Sequence, residues 1–299
     1  MTLFTRQPVA DSMAWILGRT YNPIADRRVR FPEITGLRDS LRIPTSRGPA
    51  PVTIYRPPSG QGRGVYVNLH GGGFVVGRPE QDDPWCRFLA ERAGVFVVNV
   101  DYLLAPQHRF PAAVQQVYEV LTWVAHDDRE WDGSKMCVGG QSAGGNLAAA
   151  MSRMSLEVGG PTVSLQVLHY ASLDLVTPMS QKVSPLGGKS GLKPWLGDVI
   201  DTAYLPDPEA RRDRLISPAW GDNAAHIAGI APALVVTAEY DRLRMEGIRY
   251  AARLEDAGAL VKWHDVAGVD HGYNFRGSAV DTTRRMYGLI ADAVADAVR

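Results

Sequence analysis

The segment Gly140-Gln141-Ser142-Ala143-Gly144 sets a serine among small residues, after the apolar run Met136 to Gly139 and before an alanine-rich helical stretch. A serine on a sharp strand-to-helix turn projects its hydroxyl outward, and small neighbours keep Cβ atoms clear of the adjoining strand and helix. The helix that follows favours negative charge near its first turn. A turn that merely packs tightly would have the same signature, so other segments must decide between the two. His70-Gly71-Gly72-Gly73-Phe74 directly follows the apolar run Val65 to Leu69. Three successive glycines let the backbone approach a substrate and aim N–H groups at a carbonyl oxygen. The Lys-Ser/Thr ending of a phosphate-binding loop is missing there. Together these pieces suit acyl transfer by an activated serine.

A serine hydroxyl needs a base to take its proton, and on a strand-turn-helix elbow of this kind the acid and then the base follow the serine in the chain. Of the 7 histidines, His70, His108 and His126 precede Ser142. His169 lies inside a strand pattern, and His226 comes before the candidate acid strand. His264 sits within the last strand, whereas His271 follows it in the loop Gly268-Val269-Asp270-His271-Gly272-Tyr273, which can reach the serine. His271 is therefore the expected base. The acid belongs at the carboxyl end of a strand just before the base, where Ala233 to Ala238 delivers both Glu239 and Asp241. Spacing leaves that pair open.

These groups need a scaffold, and the pattern around them is β-branched runs alternating with longer helical periods. The expected class is α/β, with a mostly parallel eight-stranded sheet flanked by helices. Leu41 to Pro44 and Val52 to Tyr55 read as an antiparallel opening. Val65 to Leu69, Val95 to Val100, Met136 to Gly139, Leu165 to His169, Ala233 to Ala238 and Val261 to Asp265 complete the set, several of them apolar throughout as doubly covered strands should be. Ala112 to Ala125, Ala143 to Leu156, Glu246 to Asp256 and Thr282 to Val298 have apolar residues at three- and four-residue spacing and read as crossover helices. Two stretches break the rhythm. Residues 1–36 carry an amphipathic segment with Val9, Met13, Ile16 and Leu17 on one side and Gly18 as a stop. Residues 177–213 hold a short helical pattern, Leu196 to Tyr204, whose Trp195, Leu196, Ile200 and Tyr204 are too apolar for a solvated linker. Both are expected to form a helical cap over a catalytic core of residues 37–176 and 214–299.

Composition narrows the chemistry further. Thirty-two basic residues balance 32 acidic ones, so no net field would draw in nucleic acid or an anionic membrane. A neutral small molecule fits better. Cys86 and Cys137 are far apart, and Cys137 lies in an apolar run, which favours buried free thiols over a disulfide and a reducing, cytoplasmic setting. No spaced His/Cys/Asp cluster resembles a zinc site, so neither metal nor organic cofactor is expected. The last strand leaves a sheet edge on which a second copy could pair as a homodimer.

The ordered motifs resemble those of the hormone-sensitive-lipase-like group of α/β-hydrolases, which includes carboxylesterases and arylacetamide-deacetylase relatives. The likeness rests on His70-Gly71-Gly72-Gly73-Phe74, Asp101-Tyr102-Leu103-Leu104-Ala105-Pro106-Gln107-His108, Phe110-Pro111-Ala112-Ala113, the segment Gly140 to Ala148, Asp241-Arg242-Leu243-Arg244 and His271-Gly272-Tyr273. It implies the α/β-hydrolase fold and a triad of Ser142, Asp241 and His271, resolving Glu239 against Asp241. It also implies an oxyanion hole from the N–H groups of Gly71, Gly72 and Ala143, and hydrolysis of short- to medium-chain carboxylic esters. An amidase or deacetylase on the same machinery, and a non-catalytic ligand-binding relative, are the rival readings. Three departures stand out: Gln141 where the family has an acid, Leu103 where an arginine is common, and Arg242 and Met245 in the Asp-Pro-Leu-Arg-Asp motif.

Overall fold

The computed structural model describes residues 2–20 and 25–299, so residues 1 and 21–24 of the expected cap segment 1–36 lie outside the described residues. Eight strands form one sheet: β1 (Leu37–Ile43), β2 (Ala50–Arg56), β3 (Val65–Leu69), β4 (Phe96–Val100), β5 (Met136–Gln141), β6 (Val163–His169), β7 (Ala233–Ala238) and β8 (Leu260–Val266). Their spatial order is β1-β2-β4-β3-β5-β6-β7-β8. β2 pairs antiparallel with both neighbours, and every pairing from β4 to β8 is parallel. This bears out the expected mostly parallel α/β sheet.

The helices are α1 (Gln7–Thr20), α2 (Asp83–Ala93), α3 (Ala112–Val124), α4 (Ala143–Val158), α5 (Pro194–Tyr204), α6 (Arg244–Asp256) and α7 (Val280–Ala297). Side chains alternate across a strand, so each central strand feeds two cores. Val65, Val67 and Leu69 of β3 join Val117, Leu121, Leu147 and Leu254 of α3, α4 and α6 on one face. Tyr66 and Val97 join Trp85, Phe88, Tyr287 and Ile290 of α2 and α7 on the other. β3 and β4 are buried at every position, which explains their unbroken apolar runs.

Three local features depart from expectation. β1 begins at Leu37 rather than Leu41, because its first residues are exposed and it is held by pairing with β2, not by burial. α2 was not anticipated: Asp83, Arg87 and Glu91 interrupt its apolar spacing, while Trp85, Cys86, Phe88, Leu89 and Ala90 are buried around much of its circumference. α1 runs past Gly18 to Thr20, and its buried positions are Ala10 and Ala14, with Ile16 exposed. The helix is buried at these small residues and packs on one neighbouring helix.

That neighbour is α5. Phe4 packs on Trp195, and Arg109 donates to Asp11 at 2.7 Å and to the Ala203 carbonyl, joining α1, α5 and the loop before α3. Residues 27–34 go elsewhere: Phe31 packs on Phe88 and Tyr287, against α2 and α7. Thr2 Oγ1 also donates to Asp198 of α5 at 2.6 Å, so the portion of residues 1–36 that meets α5 lies within residues 2–20.

Candidate active site

Ser142 sits between β5 and α4 with φ 55° and ψ −115°. A non-glycine residue at positive φ is strained and persists only where the surroundings hold it. Here the Ser142 N–H donates to the His169 carbonyl at 3.0 Å, and the Ser142 carbonyl accepts from Asn146 and Ser172, each at 3.1 Å. The small neighbours are required by contact. A Cβ on Gly140 or Gly144 would lie 2.2 or 1.8 Å from the Leu69 carbonyl oxygen.

Asp241, His271 and Ser142 come together from three loops at the carboxyl ends of β7, β8 and β5. His271 Nε2 lies 3.1 Å from Ser142 Oγ, and His271 Nδ1 lies 2.7 Å from Asp241 Oδ2. A carboxylate can only accept, so Nδ1 carries the proton and Nε2 is the acceptor facing the serine. Asp241 is buried, and its other oxygen accepts the Leu243 N–H at 3.0 Å. Glu239, the other acid left open by spacing, instead accepts the Gly268 N–H at 2.6 Å and braces the loop below His271. His264 stays in β8, away from Ser142.

The glycine loop lies against this group. A Cβ on Gly71 would fall 3.1 Å from the Gln141 carbonyl and 3.6 Å from Ser142 Cβ. Gly72 has φ +132°, and a Cβ there would lie 1.9 Å from the Val76 carbonyl oxygen. The N–H groups of Gly71, Gly72 and Ala143 donate to no backbone carbonyl among the described residues. His70 fixes the loop from beneath: its ring stacks on Tyr102 at 4.2 Å, Nδ1 donates to the Gly71 carbonyl at 2.9 Å, and its own carbonyl accepts from Tyr102 Oη. Burial pulls the His70 imidazole down to about 4, so it stays neutral near pH 7.

A cavity of about 400 Å³ opens onto Ser142 and His271, walled by Leu17, Phe74, Met179, Trp195, Leu196 and Ile200. Larger clefts lie elsewhere, one of about 860 Å³ between β8 and α7. The smaller one holds the only serine–histidine–aspartate group found among the described residues. No group of three or more His, Cys, Asp or Glu side chains among the described residues could hold a metal ion, and no described helix is long and apolar enough to cross a membrane.

Residues 66–275 match the model of a family described by its α/β-hydrolase fold. The chain belongs to the α/β-hydrolase family. The match extends to named relatives. Esterase LipI of Mycobacterium tuberculosis is 33% identical over 267 residues, 84% of this chain and 80% of that protein. Ethyl acetate hydrolase of Pseudomonas putida is 32% identical, covering 82% of this chain and 77% of the relative. The solved structure of a hyperthermophilic esterase from Pyrobaculum calidifontis, 34% identical, superposes with a TM-score of 0.80 over 100% of this chain and 93% of that one. These findings bear out the hormone-sensitive-lipase-like resemblance.

The departures in this hydrolase now have surroundings. Gln141 is buried, and its Oε1 accepts from Tyr170 Oη at 2.8 Å and Asn274 Nδ2 at 3.1 Å; Asn274 also donates to Tyr287 Oη at 3.1 Å. Tyr170 places its ring edge against His271, 4.7 Å between centroids. An uncharged network therefore occupies the place of a buried carboxylate. Leu103 uses only its backbone here, donating to Gln116 Oε1 at 2.9 Å. Met245 is exposed. Arg242 donates to three carbonyls, of Lys182, Gly187 and Leu192. Asp270, not singled out from its sequence position, accepts the His271 N–H at 2.8 Å; an acidic residue directly before the expected base was the available signal.

Proposed function

We propose that the chain is a serine carboxylesterase in which Ser142 is the nucleophile, His271 the general base and Asp241 the residue that orients it. The observation that carries this reading is the hydrogen-bonded line from Asp241 to His271 to Ser142, 2.7 and 3.1 Å, at the base of a mostly apolar cavity. His271 Nε2 takes the Ser142 proton as Oγ bonds to the ester carbonyl carbon. The resulting oxyanion lies toward the N–H groups of Gly71, Gly72 and Ala143, with Ala143 at the first turn of α4, where the helix favours negative charge. Collapse of the tetrahedral adduct breaks the bond to the alcohol oxygen, which leaves with the proton held by His271. Water then gives a proton to His271 and its oxygen to the acyl carbon; release of the acid returns the proton to Ser142.

Substrates in this reading are short- to medium-chain esters. A cavity of about 400 Å³ suits a small acyl ester better than a triglyceride, and a relative is named for ethyl acetate. Residues 2–20 and 177–213 act as the cap, since α1 and α5 supply Leu17, Trp195, Leu196 and Ile200 to the cavity wall. Hydrolysis of 4-nitrophenyl acetate, butyrate and octanoate by wild type and Ser142→Ala tests the assignment. Activity should peak at the shorter chains and vanish in the variant, and equal rates in both proteins would end it. Paired ester and anilide substrates separate esterase from amidase, with the ester expected to win. A fluorophosphonate probe should label Ser142; an unlabelled serine would favour a non-catalytic ligand-binding protein. A cytoplasmic location and a homodimer paired along β8, where Val261 and Trp263 are exposed, complete the proposal; fractionation and light scattering test them.

A further inference from the structure

The loops carrying Asp241 and His271 are joined on one flank by ordinary backbone contacts, Tyr240 N–H to the Val269 carbonyl at 2.9 Å and Gly268 N–H to Glu239 at 2.6 Å. On the other flank lies residues 182–192, a strap whose only regular structure is the single turn Gly187–Lys189. Lys182 at its start pairs with Glu246 at 2.6 Å, and two further side chains that grip the strap are each the immediate chain neighbour of a triad residue. Arg242, next to Asp241, donates Nε to the Leu192 carbonyl at 2.9 Å, Nη2 to the Gly187 carbonyl at 2.8 Å and Nη1 to the Lys182 carbonyl. Asp270, next to His271, accepts the Gly191 N–H at 2.6 Å and Ser190 Oγ at 3.3 Å. Ser184 Oγ adds a bond to the Tyr240 carbonyl.

We infer that Arg242 and Asp270 are positioning residues that fasten the acid loop and the base loop to one strap and so hold Asp241 in register with His271. This rests on the triad reading above. The chemistry of each grip favours it. A guanidinium presents its N–H groups in a rigid planar fork, so three carbonyls bound at once fix both the strap and the backbone of residue 242. Arg242 makes no ion pair among the described residues, so its polar contacts are those with the strap. Asp270 is buried; its Oδ1 takes both Ser190 Oγ and the His271 amide, so one carboxylate ties the base to the strap. The strap also lends Gly191 and Leu192 to the cavity wall. A Cβ on Gly191 would lie 2.9 Å from Arg276 Nη2, so the strap approaches the base loop closely.

The test uses the full chain, 4-nitrophenyl butyrate and five variants. Misplacing a catalytic group by about 1 Å costs about 100-fold, so Arg242→Ala should lower kcat about 10- to 100-fold with KM changed less than about threefold. Arg242→Lys, able to reach fewer carbonyls, should fall between. Guanidinium chloride at tens of millimolar should restore Arg242→Gly but leave wild type unchanged, a rescue that a merely destabilised fold would not give. Asp270→Asn should lose kcat too, because its amide would turn a donor toward a strap N–H. If Arg242→Ala proves unfolded, Arg242→Lys and Asp270→Asn, compared well below their melting temperatures, decide the matter. Wild-type kcat in folded variants, or a loss confined to KM, would overturn the inference. Activity surviving in Ser142→Ala would instead defeat the triad reading, so the two failures are distinguishable.

Discussion

Gly71 and Gly72 are neighbours with the same proposed role, yet their surroundings predict different penalties for a single added methyl. At Gly72 the backbone has φ +132°, a conformation essentially reserved for glycine, and the new Cβ would lie 1.9 Å from the Val76 carbonyl oxygen. Real Cβ atoms approach no closer than about 3 Å, so something must move by about 1 Å. The conformational strain alone is about 1–3 kcal/mol. Relieving it swings the Gly72 N–H away from the oxyanion, and loss of one such donor costs about 100- to 1,000-fold in kcat. At Gly71 φ lies outside the left-handed range, and the nearest atom is the Gln141 carbonyl oxygen at 3.1 Å. A few tenths of an ångström suffice there, so Gly71→Ala should lose less than about tenfold. The assay is steady-state hydrolysis of 4-nitrophenyl butyrate at pH 8, with thermal melts to confirm folding. Equal losses in the two variants, or a Gly72→Ala enzyme retaining more than a tenth of wild-type kcat, would refute this reasoning.

Three further outcomes follow from the site's surroundings. Gln141→Glu keeps an acceptor for Tyr170 and Asn274 but adds a charge one aromatic ring away from His271; the acidic limb of its kcat/KM profile should move to higher pH, since a nearby carboxylate favours the imidazolium. Tyr170→Phe removes a buried hydroxyl that meets both Gln141 Oε1 and Asn274 Oδ1, so denaturant melts should show a loss of about 1–3 kcal/mol. Asp82 is raised to about 7 by burial, with one oxygen bound to Asn68 at 2.9 Å and the other without a partner among the described residues. Its folded form holds the proton more tightly than its unfolded form, so it costs nothing below about pH 4, and stability is lost as pH rises toward about 7. Asp82→Asn should therefore melt higher relative to wild type at pH 8 than at pH 4.5, and a constant difference would contradict the assignment.

Much of this arrangement could be read from residue order alone, and the reasons are physical. β3, β4 and β7 are buried on both faces, so their apolar runs are unbroken and self-declaring. Ser142 is legible because its turn tolerates no Cβ at Gly140 or Gly144, which leaves a glycine signature. His271 was found because chain order and strand position together remove its competitors. Asp241 was not separable from Glu239 by position, since both follow β7 within three residues; the difference lies in which oxygen meets His271 Nδ1 and which meets the Gly268 amide. The strap escaped altogether. Most of its bonds join a side chain to a main-chain carbonyl or N–H, and a main-chain group has no letter in the sequence. α2 was hidden because burial around much of its circumference erases the polar stripe by which a helix is recognised.

Much of the apolar cavity wall comes from a different part of the chain than the proposed reacting groups. Ser142, Asp241 and His271 stand on sheet loops, whereas Leu17, Trp195, Leu196 and Ile200 belong to α1 and α5, which lean on each other. Much of the shape is thus encoded apart from the reactivity. A lineage, or an engineer, can exchange bulky for slim residues along those two helices and retune which molecules enter, while the machinery that breaks the bond is inherited intact. The strap is one place where that independence ends, because Leu192 lines the cavity while its carbonyl is held by the neighbour of Asp241.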